Sequence, residues 1–255
     1  MISSDQRTEL TELAGESLAE AERTWKKVAP LMNIQAEFSE GVVRATRSEI
    51  PGHPYVEFGK PKVDEFIALS VDMRDSSKHI LEAISGPKVQ LVERAFYESS
   101  VLLPIIAKVV SYKKGKITEY LGDGVLGLFL ASEEQKKTAI YDSYNAAINC
   151  LHALHDVVNP ILRERFDLPA LEIGVGLALN TAVVTLVGLP ESRHPKAFGE
   201  CVYRATKLAK GRNEIYIDET LKLSWPKEKG GVLKFLKKAV RGFDGYLVED
   251  PELPY

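Results

Sequence analysis

The chain has 255 residues, 45% apolar and 27% charged, enough for one large domain or a domain with an extension around a sizeable core. A formal charge of −3 lacks the electrostatic footprint of a dedicated nucleic-acid binder and points to small anions or proteins as partners. Cys150 and Cys201 form neither a CxxC nor a Cys/His metal spacing, which argues against a disulfide framework or a zinc site and fits a reducing cytoplasm.

The N-terminus carries Asp5, Arg7, Glu9 and Glu12 and lacks the apolar region of a signal peptide. No run reaches the roughly 20 apolar residues that span a bilayer, so no membrane association is expected. From Thr8 to about Val28, Leu10, Leu13, Leu18, Ala21 and Trp25 recur at near-helical spacing, which predicts one amphipathic helix ending before Pro30. The stretch from Asn33 to Lys62 holds Gly41, Pro51, Gly52, Pro54, Gly59 and Pro61 and reads as an irregular connector. Residues 1–62 are therefore expected to form a helix with a connector, and residues 63–255 the main domain.

That domain begins with an apolar strand (Phe66 to Val71), a short helix, and a longer helix ending near Tyr112. Two strands around a turn follow (Ile117 to Leu130), then a long helix from about Lys137 to Arg165, kinked or interrupted near Pro160. Two further strands (Leu171 to Ala178, Ala182 to Val187) complete β-α-β-β-α-β, the ferredoxin-like α+β order with an antiparallel sheet and helices on one face. The tail adds a helix at Val202 to Lys210, a strand at Glu214 to Ile217, and strands near Val232 and Tyr246. His152 and His155 read as surface or core-edge residues, Lys113, Lys114 and Lys116 as a solvated loop, and Tyr97 with Val101 to Val110 as helix core.

Three segments place charge at the end of an apolar strand, where a ligand would meet it. In "FIALSVDMRDSSK", Asp72 ends the strand and Ser76 and Ser77 follow at a helix start, where free N–H groups favour phosphate oxygens. Asp75 or Ser76 also reads as a plain N-cap. In "ITEYLGDGVLGLF", Gly122-Asp123-Gly124 reads as a hairpin turn, and equally as the source of a second carboxylate beside Asp72. Such a pair would repel unless Mg²⁺ or Mn²⁺ neutralised it. In "KKAVRGFDGYLV", Arg241 is a candidate phosphate contact or a solvated strand end.

These segments, with "IGVGLALNTAVVTLVG" and "FGECVYRATKLAK", resemble the class III adenylate and guanylate cyclase catalytic domain from about Phe66 to Val248. The resemblance implies two Mg²⁺ or Mn²⁺ ions held at Asp72, Met73 and Asp123, and a nucleoside triphosphate substrate. It also implies a homodimer whose active sites take residues from both protomers. Glu119 and Lys196 fall at the base-reading positions, Tyr203 replaces the family's ribose-orienting Asn, and Lys207 replaces its transition-state Arg. Tyr keeps a hydrogen-bonding tip and Lys a positive charge, which reads as retuning.

This combination resembles the bacterial pyrimidine cyclases of the Pycsar anti-phage systems, which make cyclic UMP or cyclic CMP for an effector protein. Hydrogen-bond arithmetic agrees, since Glu119 can accept from uracil N3–H while Lys196 donates to a carbonyl. Uracil ranks first, guanine or cytosine next, and adenine last. Three other readings are a guanylate cyclase, an inactive nucleotide-binding regulatory module, and a ferredoxin-like protein–protein module.

Overall fold

Every position from Phe66 to Val71 is apolar or small, so a strand there must be covered on both faces. The computed structural model, which describes residues 2–28, 45–57, 60–82, 89–189, 192–227, 231–240 and 242–253, meets that requirement with helices on each side. In chain order the first elements are helix α1 (Ser4–Val28), strands β1 (Ala45–Arg47), β2 (Tyr55–Glu57) and β3 (Lys62–Met73), and helices α2 (Ser76–Leu81) and α3 (Leu91–Tyr112). Next come β4 (Lys116–Tyr120), β5 (Gly124–Leu130), α4 (Lys136–Ala153), a π-helical turn (Leu154–Val158) and α5 (Asn159–Phe166). The remainder is β6 (Ile173–Val187), β7 (His194–Gly199), α6 (Glu200–Leu208), β8 (Glu214–Ile217), α7 (Glu219–Ser224), β9 (Lys234–Val240) and β10 (Phe243–Glu249).

The main sheet runs β4-β5-β3-β6-β8-β10-β9, with β7 also paired to β6. Its central strands are antiparallel, and β6 with β8 is a parallel pair. The β4-β5-β3-β6 core, joined through α2, α3, α4 and α5, is the expected ferredoxin-like α+β arrangement. Alternation along β3 divides its side chains between two layers. Ile67, Leu69 and Val71 join the core formed with α3 and α4, whereas Phe66 and Ala68 pack in a second cluster with Cys201 and Ala205 of α6. The core helices α3 and α4 lie on one face as expected, and α6, one of the C-terminal additions, covers the opposite face.

Three expectations are revised. The two strands expected at Leu171 to Ala178 and Ala182 to Val187 are one strand of 15 residues beginning at Ile173, because Asn180 and Thr181 keep their pairing with Phe66 and Glu65 of β3 and never turn. Part of the predicted connector is a small hairpin, β1 with β2, while Gly41 and Gly59 lie outside the described residues. The strand expected near Val232 begins at Lys234, and Lys116 belongs to β4 instead of a loop.

Around Pro160 the long helix widens instead of stopping. Proline has no N–H and crowds the carbonyl four residues back, so the π-helical turn just before it absorbs the mismatch. In α1, Leu10, Ala14 and Leu18 recur every four residues and are fully buried in the core shared with α3. Helix α3 has the length and hydropathy to cross a bilayer, yet nine of its residues, Val101 and Ile105 among them, are buried within this fold. Tyr97 and the apolar run after it form helix core as expected, and His152 and His155 face a backbone carbonyl and Asp156.

Two glycines set how closely α6 approaches β6. A Cβ on Gly176 would collide with the Ala205 carbonyl and lie 2.6 Å from Ala209 N; one on Gly174 would lie 2.7 Å from the carbonyls of both Ala209 and Gly211. Backbone cannot yield as a side chain tip can. Gly176→Ala should therefore lever α6 off the sheet and cost about 2–3 kcal/mol, read as a fall of roughly 5–10 °C in Tm by circular dichroism.

Candidate active site

Asp72 is the next-to-last residue of β3, opposite Gly124 of β5 on one side and Gly174 of β6 on the other. By alternation it shares a face with Phe66 and Ala68, toward α6. A Cβ on Gly124 would overlap the Val71 carbonyl, so glycine here lets the β4–β5 hairpin lie against the end of β3. Met73 N donates to the Asp123 carbonyl (3.1 Å), which seats Asp123 beside the end of β3 that carries Asp72. Asp72 Oδ2 accepts from Arg74 Nη2 and from Lys210 Nζ. Arg74 is 9% exposed in its side chain, and its guanidinium also donates to the carbonyls of Asp72 and Lys210. Asp123 Oδ2 accepts from Ser76 Oγ.

Helix α2 departs from the N-cap reading. Asp75 occupies the cap position in a left-handed conformation (φ 56°) and makes no capping bond. Its carboxylate pairs with Arg212 and Lys78 instead, and the Arg212 guanidinium holds the Asp75 carboxyl below its ordinary range. The helix has six residues, none of them buried, so its position needs another anchor. His79 Nδ1 lies 2.7 Å from Glu98 Oε2 of α3, and Glu98, fully buried, also accepts from Arg94 Nε at 2.8 Å. This anchor aligns Ser76 with Asp123. Ser76, Ser77, Met73 and Asp123 line a cavity of about 400 Å³ between α2, α3 and the hairpin.

Glu119 and Lys196, 77 positions apart, meet as an ion pair at 2.5 Å. A register shift between Ile117 and Glu119 turns Glu119 out of regular alternation, as bulges do. Lys196 is carried by β7, opposite Thr185. On α6, Cys201, Ala205 and Leu208 are buried, which turns Tyr203 and Lys207 to the other side, one helical turn apart. Lys207 Nζ sits 5.4 Å from the Tyr203 ring centre, and that ring meets Phe243 edge-on at 5.5 Å. Among the described residues no hydrogen bond or ion pair joins Glu119, Lys196, Tyr203 or Lys207 to Asp72 or Asp123. Arg241 lies outside the described residues.

The donor chemistry suits a hard divalent ion. Asp72 and Asp123 offer carboxylate oxygens and Met73 a main-chain carbonyl, whereas its thioether is too soft for Mg²⁺. Among the described residues no group of three or more His, Cys, Asp or Glu surrounds a common point, so water or phosphate oxygens must complete any shell. Sequence reading missed Arg74, Lys210 and Arg212. Arg74, two residues past Asp72, carried a signal of a kind, whereas Lys210 resembles an ordinary cation at a helix C-terminus. Because Arg74 is well buried, Asp72→Ala should strand its guanidinium and cost about 2–3 kcal/mol, while Asp72→Asn keeps a carbonyl acceptor and should cost less, as urea midpoints would report.

No protein-family model matches the sequence, and no curated relative does. Solved structures do share the fold. The adenylyl cyclase CyaB from P. aeruginosa superposes with a TM-score of 0.62 at 19% identity, over 76% of this chain and 100% of that one. The guanylyl cyclase Cya2 gives 0.58 at 19% identity, over 73% and 91%. A class III adenylyl cyclase-like ATP-binding protein from Pseudomonas aeruginosa gives 0.60 at 16% identity, over 80% and 43%. The chain has the fold of an adenylyl or guanylyl cyclase catalytic domain.

Proposed function

We propose that this chain is a metal-dependent nucleotidyl cyclase that converts a pyrimidine nucleoside triphosphate, UTP first and CTP second, into the 3′,5′-cyclic monophosphate and pyrophosphate. The observation that carries the reading is the approach of two strand-end carboxylate residues, Asp72 and Asp123, made possible by a glycine, Gly124, whose missing side chain lets the hairpin lie against β3. Metal bound by these carboxylates would supply acidification of the ribose 3′-hydroxyl and neutralisation of the triphosphate. The 3′-oxygen then attacks the α-phosphorus, the bond to the bridging oxygen breaks, and pyrophosphate leaves. In this reading Ser76, which donates to Asp123, steadies that carboxylate, Tyr203 orients the ribose, and Lys207 meets charge developing on the α-phosphate. Ser77 and Arg241 are assigned to the phosphates.

Among the described residues Asp72 and Asp123 share no hydrogen bond or ion pair with Glu119, Lys196, Tyr203 or Lys207, which accords with a homodimer in which each site takes one set from each protomer. Exposed Tyr120, Leu121, Phe198 and Tyr203, on the hairpin, β7 and α6, are apolar surface for such a contact. The base assignment rests on the Glu119–Lys196 pair. An acceptor and a donor held 2.5 Å apart match an N–H beside a carbonyl, the edge that uracil presents at N3 and O4. Guanine presents the same pattern, which keeps a guanylate cyclase as the nearest alternative. A role as an alarm-signal synthase in anti-phage defence, acting through an effector that binds the cyclic product, follows from the resemblance of Tyr203, Lys207, Glu119 and Lys196 to the pyrimidine cyclases.

One observation favours a second reading, a nucleotide-binding module without turnover: Asp72 is already neutralised by Arg74 and Lys210. Incubation with Mn²⁺ and each of ATP, GTP, CTP and UTP, followed by mass spectrometry, separates these readings. Cyclic UMP from UTP is expected, with Lys207→Ala lowering kcat about 100-fold or more. Cyclic GMP alone would return the chain to the guanylate reading, and binding with no product from any triphosphate would support the module. Exchanging the pair in Glu119→Lys/Lys196→Glu reverses donor and acceptor. It should shift kcat/KM from UTP toward ATP or CTP by roughly 10- to 100-fold.

A further inference from the structure

Asp72 and Gly174 are opposite one another in the β3–β6 register, and the carbonyls of Ala209 and Gly211 both press on the space where a Gly174 side chain would be. Lys210, between those two residues, therefore has its backbone fixed beside Asp72. Only its side chain is free to swing. Its ammonium reaches the same oxygen, Asp72 Oδ2, that accepts from Arg74 Nη2. The two cations differ in mobility. Arg74 is 9% exposed and donates as well to the Asp72 carbonyl (3.3 and 3.4 Å) and the Lys210 carbonyl (3.5 Å), whereas the Lys210 side chain is 27% exposed.

Building on the assignment of Asp72 to metal binding, we infer that Lys210, backed by Arg74, is a counter-cation clamp that keeps a free divalent ion off Asp72 and yields when metal arrives with a nucleoside triphosphate. The charges explain the selectivity. Asp72 carries two cations, Arg74 and Lys210, on one carboxylate, so an approaching free ion meets no negative field there. It must also displace an ammonium from the oxygen it needs. A triphosphate changes both terms, because it brings excess negative charge and gives Lys210 other anionic oxygens to bind. Arg74 cannot follow, being held by two carbonyls as well. Lys210 is thus the moving part and Arg74 the fixed one. The consequence is positive coupling between metal and nucleotide at this site, which is reciprocal by linkage.

The test measures Mn²⁺ binding by the electron paramagnetic resonance of the free ion, with and without 3′-deoxy-UTP, which lacks the attacking hydroxyl. The proteins are wild type, Lys210→Met, Lys210→Arg, Asp72→Asn and the double variant Lys210→Met/Asp72→Asn. Without nucleotide, Lys210→Met should bind Mn²⁺ at least about tenfold more tightly than wild type, Lys210→Arg should match wild type, and the double variant should lose the gain. With 3′-deoxy-UTP, the wild type should approach the affinity of Lys210→Met. If Lys210→Met binds no more tightly while nucleotide-dependent binding in wild type still needs Asp72, the clamp is wrong and the metal assignment stands. If no protein shows Asp72-dependent Mn²⁺ binding under either condition, the metal assignment fails and the clamp with it. Lys210→Arg, which preserves charge and bulk, keeps the comparison interpretable should the Met variant fold poorly.

Discussion

The arrangement around Asp72 depends on main chain packed against main chain at three glycines. Gly124 lets the hairpin close against the end of β3, while Gly174 and Gly176 let α6 and the segment after it lie on β6. No side chain separates these elements, so their spacing is set by van der Waals contact between backbones, which is stiff compared with side-chain packing. That stiffness brings Asp123 to one side of Asp72 and Lys210 to the other. A larger residue at any of the three positions would move a charged group by more than a hydrogen bond tolerates.

Placing six charges at a sheet end so closely demands mutual compensation. Asp72 binds Arg74 and Lys210, Asp75 binds Arg212, and Arg212 also reaches Glu172. The pairing continues inward to Glu98, whose full burial would be costly without Arg94 and His79 around it. This inner cluster connects α2 to α3 and so fixes a short helix that buries nothing of its own. A conformational change at the outer carboxylates therefore need not disturb the fold, because the inner pairs hold α2 separately.

Most of this architecture was legible in the sequence because it follows period and local composition. The unbroken apolar run of β3, the near-helical spacing of Leu10, Leu13 and Leu18 in α1 and the order of strands and helices each leave a local signature. The misses have physical causes. The chain stays extended through Asn180-Thr181 because β3 supplies partners along the whole length, a tertiary effect that overrides turn propensity. Strand β7 begins with His194-Pro195 and, among the described residues, pairs with β6 alone, so edge chemistry hid it. The alignment of Asp72 with Lys210 spans 138 positions, and nothing local to either residue announces it.

The placement of Tyr203 and Lys207 follows from the same packing that fixes Lys210. Helix α6 has one buried stripe, Cys201, Ala205 and Leu208, and that stripe fills the second face of the sheet. Residues two positions off the stripe must point away, and Tyr203 is 53% exposed although it is aromatic and already touches Phe243. Beyond the last turn, the chain is drawn back onto Gly174 and its next cation faces inward to Asp72. The helix thus turns Tyr203 and Lys207 outward, while the segment just after it turns Lys210 inward. On the proposed reading, a nucleotide that needs both sets would draw one from each of two associated copies, and that association requires no refolding of either.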